Sequence, residues 1–206
     1  MPNIFAYIVL ITWPLVVVML FRAMPLRSAL VWSIVVGYLL LPLRTEFDFP
    51  GLPPIGKNMI LVGSAAILCI LSARAQNLPA TRTNEISTFQ VQRGQYLFLG
   101  LLTLLFTTPF ATFLQNREAI TIGETFLPAI SLYDTFSAGI ALLITVTPFL
   151  LGRRYLGSED SHRVILRALV LAALAYSVLI LYEIRMSPQI NVMVYGFFPH
   201  SWAQHV

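Results

Sequence analysis

Chemically capable side chains gather in one stretch of this sequence, residues 183–206, EIRMSPQINVMVYGFFPHSWAQHV. It holds Glu183, Arg185, Tyr195, Trp202 and two of the chain's three histidines, His200 and His205. A histidine titrates near neutral pH, so His200 is a candidate general acid or base, although an exposed histidine among aromatics more often has no chemical role. Arg185 carries a planar guanidinium that can grip two oxygens of a phosphate, or of the nearby Glu183 carboxylate. Arg117 offers the same two alternatives beside Glu118. Asp134 stands about one turn inside an apolar run. At that depth an ionisable residue faces a bundle interior or water, unless it is an idle charge among lipid headgroups. His200 and His205 are five apart, one more than the i, i+4 spacing of a helical zinc pair, and no thiolate or third histidine joins them. No metal and no cofactor is expected. The phosphate loop, the dinucleotide fingerprint, the nucleophile elbow and the HExxH pair are all missing from the sequence.

The elements that must position these residues follow from composition. The chain is 57% hydrophobic and 11% charged, far below the roughly 25% charged of soluble domains. Six apolar blocks, 4–21, 28–43, 58–73, 95–114, 130–151 and 164–182, are separated by loops that hold nearly all the charge. This predicts an all-α, polytopic integral membrane bundle of about six transmembrane helices over 1–183, followed by an external interfacial segment over 184–206. The last segment has no run of roughly 18 apolar residues and does not span; Pro188 and Pro199 bracket its aromatic piece, 192–198. The first block lacks the preceding basic residue and the small-residue cleavage site of a signal peptide, so it reads as a span. Pro14 predicts a kink there. Gly63-Ser64-Ala65-Ala66 predicts a face for close helix contact, and Cys69, the single cysteine, reads as a packing residue. The stretch 44–57, RTEFDFPGLPPIGK, is too rich in Pro and Gly to be helical. The polar stretch 74–94 reads as a solvated loop.

Orientation follows from counting. The loops after the first, third and fifth blocks, with Arg167 just inside the sixth, hold nine of the 13 Lys and Arg residues, and the remaining stretches hold four. The positive-inside rule then makes the odd loops cytoplasmic and sends both termini outward. Basic residues divided among loops in this way point to a membrane rather than to nucleic acid.

Four pieces of the chain resemble a group of bacterial polytopic membrane proteins of the O-antigen polymerase and ligase type: LPLRTEFDFPGLPPIGKN (41–58), SLYDTFSAGI (131–140), PFLLGRRYLG (148–157) and YEIRMSPQINVMVYGFFPHSWAQHV (182–206). The resemblance runs over most of the chain and implies the first part of a longer protein of the bacterial inner membrane. It implies glycosyl transfer from an undecaprenyl-diphosphate-linked glycan at the outer face. In that reading Arg117 and Arg185 hold the diphosphate, with Asp134 as a further substrate-side group, and His200 or Glu183 takes the proton from the acceptor hydroxyl. The expected partners are membrane lipids, the lipid-linked glycan and other membrane subunits. Two rivals come from other classes. One is a non-catalytic scaffold packing through small-residue helix faces; the other is a small transporter with Asp134 and Arg167 in its pathway.

Overall fold

A computed structural model describes residues 2–49, 53–75, 88–122, 125–186 and 190–198. Among them are seven helices: α1 (Ile4–Ala23), α2 (Leu26–Leu40), α3 (Lys57–Ala75), α4 (Thr88–Gln115), α5 (Leu132–Tyr155), α6 (Glu159–Met186) and α7 (Ile190–Tyr195). Two short antiparallel hairpins join β1 (Glu46–Phe47) to β2 (Ile55–Gly56) and β3 (Ile120–Ile122) to β4 (Thr125–Leu127). Helices α1, α3, α5, α6 and the 95–115 part of α4 are long and apolar enough to cross a membrane. Helix α2 is apolar but has 15 residues, about 22 Å of rise. The protein is an all-α membrane bundle. The sixth block extends past its predicted end at 182 to Met186, so Glu183 and Arg185 lie on the helix itself. Both are good helix formers, and the helix stops two residues before Pro188.

The chain divides into two units, residues 1–48, 54–81 and 147–206 against 49–53 and 82–146. In the first unit α2 packs against α1, α3 and α6, while α1 also meets α3 and α7. One stripe of α1 is buried, Ala6, Leu10, Trp13 and Val17, at the three- and four-residue steps that keep side chains on one helix face. Its other faces stay apolar and exposed, with Ile4, Ile11, Leu15 and Met19 among them, as expected of a helix solvated by lipid. The tightest helix contact is at Gly37 of α2. A Cβ placed there would lie 1.8 Å from Leu61 Cδ1 and 2.9 Å from Trp13 Cζ2. The 63–66 stretch contributes less than its composition suggests: Ala65 is buried in the core, but a Cβ on Gly63 would meet nothing within 4 Å. Leu26, Leu30, Ala65, Cys69, Ala73, Leu151 and Tyr155 form one cluster, which gives Cys69 the packing role expected of it. This cluster sits at the end of the unit that carries Arg27, Arg74 and Arg154, each next to a cluster residue.

The opposite end of the same unit is closed by α7. Asn3 caps α1 by accepting from the Ala6 N–H at 2.9 Å, and its amide group donates to the Val194 carbonyl at 2.9 Å. The Asn3 N–H donates to the Tyr195 carbonyl at 2.9 Å. Segments near the two ends of the chain therefore meet.

In the second unit α4 leads through the β3–β4 hairpin into α5. The stretch between the fourth and fifth apolar blocks forms this hairpin, with Thr121 opposite Phe126. The Ile130 N–H donates to the Asn116 carbonyl at 3.1 Å and closes its base.

Candidate functional site

Beneath the β3–β4 hairpin, α4 and the first part of α5 enclose a cleft of about 780 Å³. The two helices touch through the edge-on rings of Phe110 and Phe136, whose centres are 6.0 Å apart, and do not pack closely along their length. Leu105, Pro109, Ile130, Ala138 and Leu142 give the cleft apolar walls. The threonines that line it have hydroxyls turned to their own helices. Thr108 donates to the Leu104 carbonyl at 2.8 Å, Thr112 to Thr108 at 2.9 Å and Thr145 to Ala141 at 2.8 Å. Such back-bonding satisfies the hydroxyl proton and leaves the lining largely apolar.

Asp134 lies at the hairpin end of this cleft. It is an exposed residue in the first turn of α5, neither buried among helices nor idle. Its Oδ2 accepts from the Ser131 N–H at 2.9 Å and from the Ser131 Oγ–H at 2.7 Å, while its own N–H points back to Ser131 Oγ at 3.2 Å. This reciprocal arrangement is a capping box, and a carboxylate there also complements the positive end of the helix dipole. The Arg117 guanidinium, on the other side of the hairpin base, lies 5.1 Å from the centre of the Phe113 ring. It is exposed and forms no ion pair with a described residue. Arg117 and Asp134 thus share one end of the second unit.

Glu183 and Arg185 occupy the last turns of α6 in the first unit. They form no ion pair with each other. The reason is helical geometry: residues two apart point to different faces. Arg185 is exposed and Glu183 half-buried. His200, His205 and Trp202 lie outside the described residues. No group of three metal-ligating side chains occurs among the described residues.

One group, Lys57, escaped the sequence reading, and for another, Tyr195, it was the partner that escaped. Pro42 has no N–H to donate to the Tyr38 carbonyl, which would otherwise stay unsatisfied at the end of α2. Lys57 fills that place. It is buried, and its Nζ donates to the Tyr38 carbonyl at 2.7 Å and lies 5.8 Å from the Tyr38 ring centre. A lysine opening α3 is against that helix's own dipole, and this misplacement was the available signal. The Leu40 carbonyl is met by the Tyr195 hydroxyl, which donates to it. Burial, with a smaller effect from Tyr176, pushes the Tyr195 phenol above its ordinary range, so it keeps its proton well past neutrality.

Comparisons with protein-family profiles, curated proteins and solved structures find no match.

Proposed function

We propose that the chain is a membrane protein that holds a lipid-linked anion, with an undecaprenyl-diphosphate-linked glycan of envelope polysaccharide assembly as the substrate class. The observation that carries this reading is the α4–α5 cleft, whose apolar walls suit an isoprenoid chain and whose hairpin end lies beside the exposed, ion-pair-free Arg117. A guanidinium binds two phosphate oxygens at once, and each charge-assisted bond is stronger than a neutral one. Asp134 accepts through Oδ2 from Ser131, which holds its carboxylate at the hairpin end of the cleft as a further substrate-side group. Arg117 is the phosphate ligand of this cleft; Arg185, exposed and without an ion pair among the described residues, is a candidate phosphate ligand of the first unit, and His200 or Glu183 is the candidate proton acceptor for glycan transfer. The membrane in this reading is the bacterial inner membrane, as the resemblance implies, and the positive-inside rule would put the basic loops inside and both termini out.

The test is binding of undecaprenyl diphosphate to the full chain in detergent. Arg117→Ala is expected to weaken it roughly ten- to hundred-fold, with Arg117→Lys in between. Ala138→Phe, which narrows the cleft, should weaken the lipid but leave inorganic diphosphate unaffected. Unchanged lipid affinity in Arg117→Ala and Ala138→Phe would remove the cleft from the reading.

A scaffold role is the second reading. It is favoured by Gly63, Gly100 and Gly139, where an added Cβ would meet nothing within 4 Å, leaving helix faces open to a partner's backbone. It predicts a stoichiometric membrane partner and no diphosphate binding.

A further inference from the structure

We propose that the seam between α2 and α6, in the first unit, is a binding site for one anionic phospholipid, with Arg167 as its phosphate ligand. Two cavities lie end to end along this seam. The first, about 310 Å³, is lined by Ser28, Trp32, Arg167 and Ala168. The second, about 190 Å³, is lined by Val36, Leu40, Ala175 and Leu179. They share Trp32 and Leu171 as a common wall, so together they make one groove. Its polar groups are at one end, and beyond Trp32 it is apolar apart from the Tyr176 hydroxyl. From Arg167 to Leu179 is twelve residues, about 18 Å of helix, against roughly 15 Å for half of a bilayer's hydrocarbon core. A headgroup at Arg167 therefore leaves room for one acyl chain along the groove.

Charge decides which lipid. Arg167 lies eight residues into α6, about 12 Å from its start, and is exposed at the groove, at the depth where a long basic side chain reaches for the headgroup level. It makes no hydrogen bond or ion pair with any described residue. Its basic neighbours are already engaged: Arg163 with Glu159 at 2.9 Å, and Arg27 with Ser158 Oγ at 3.1 Å. The remaining acid nearby, Asp160, is two turns back along α6 and exposed. An anionic headgroup supplies the missing counter-charge, with the Ser28 hydroxyl beside it, and basic pockets between membrane helices recognise lipids in this way. A zwitterionic lipid brings its own cation and gains less. This site is separate from the α4–α5 cleft and does not depend on the reading of that cleft.

The full chain in detergent would be titrated with phosphatidylglycerol, phosphatidylcholine and water-soluble glycerol phosphate, with the thermal midpoint followed. Phosphatidylglycerol should raise the midpoint saturably, at a concentration roughly tenfold or more below that needed for phosphatidylcholine, and glycerol phosphate should do nothing. Arg167→Gln should erase the difference between the two lipids while leaving the lipid-free midpoint in place, since the side chain has no protein partner to lose. Ala175→Phe should weaken both lipids by filling the chain-binding part. Arg163→Gln is the control and should keep the preference. Equal response to both lipids, an equal response to glycerol phosphate, or a preference retained in Arg167→Gln would overturn the proposal. So would dimerisation through Cys cross-links at Ala175→Cys, which would show a second copy of the chain in the groove.

Discussion

The carboxylate of Asp134 is held from two directions by Ser131, and that fixes its contribution to α5. Ser131→Ala removes the hydroxyl that caps α5 and donates to Asp134, leaving the backbone N–H donor in place, a loss of about 1 kcal/mol visible as a lower thermal midpoint in detergent. Asp134→Asn keeps an acceptor for the Ser131 N–H and should fall less than Asp134→Leu, which keeps none. A Leu variant as stable as the wild type would show that the capping box is dispensable. The pattern Ser-Leu-Tyr-Asp was legible as a box, but with the span set at 130 the aspartate reads as one turn inside the apolar run. Starting α5 at Leu132 moves it to the helix terminus. Glu183 and Arg185 show the converse. Their types were legible, and once they lie on a helix the step of two rules out a mutual pair, which leaves Arg185 open to a ligand.

At the scale of elements, the close helix contact is made by one glycine, and another in the same unit has no such contact. Gly37→Ala puts a methyl into the space of Leu61 and Trp13, both buried, and should cost roughly 1–3 kcal/mol of stability. Gly63→Ala should leave stability equal or higher, since alanine is the better helix former and its methyl enters open space; equal losses at the two positions would contradict the contact geometry. Helices were legible because each is a long apolar run. The hairpins were not, because strands of two or three residues are too short to show a period of two. Helix α7 docks on α1 through hydrogen bonds that leave no trace in hydropathy. Its hold also depends on a proton. The folded pKa of Tyr195 is raised, so its stabilising effect is fully present below the ordinary phenol range, about pH 10, and is lost as pH rises through the folded value. Tyr195→Phe should lower stability at pH 8 and flatten the alkaline loss. An alkaline profile identical to the wild type would rule out this hydrogen bond as its cause.

For the whole molecule, the testable quantity is sidedness. Single cysteines at Asp160→Cys, beside the arginine-rich end, and Glu118→Cys, beside the β3–β4 hairpin, can be probed with a membrane-impermeant maleimide in intact cells. Cys69 is fully buried in the core and serves as the unreactive internal control. Labelling of Glu118→Cys alone is expected, and labelling of Asp160→Cys alone would reverse the orientation. The membrane character was legible from composition, because lipid-exposed helices must be apolar all round. The cleft and the α2–α6 groove were not, because a cavity is a property of helices that pack imperfectly, and no single segment encodes it.

The end of α2 has a consequence for how the protein is made. Its Tyr38 carbonyl waits for Lys57, 19 residues on, and its Leu40 carbonyl for Tyr195, 155 residues on. A nascent chain leaves the ribosome in order, so α2 emerges with these acceptors bare and is completed in two instalments, first by the following helix and last by α7. Until then the translocon, water or headgroups must satisfy those carbonyls, and a 15-residue helix keeps them near enough to the interface for that to happen. The short second helix thus allows its end to be finished late in synthesis.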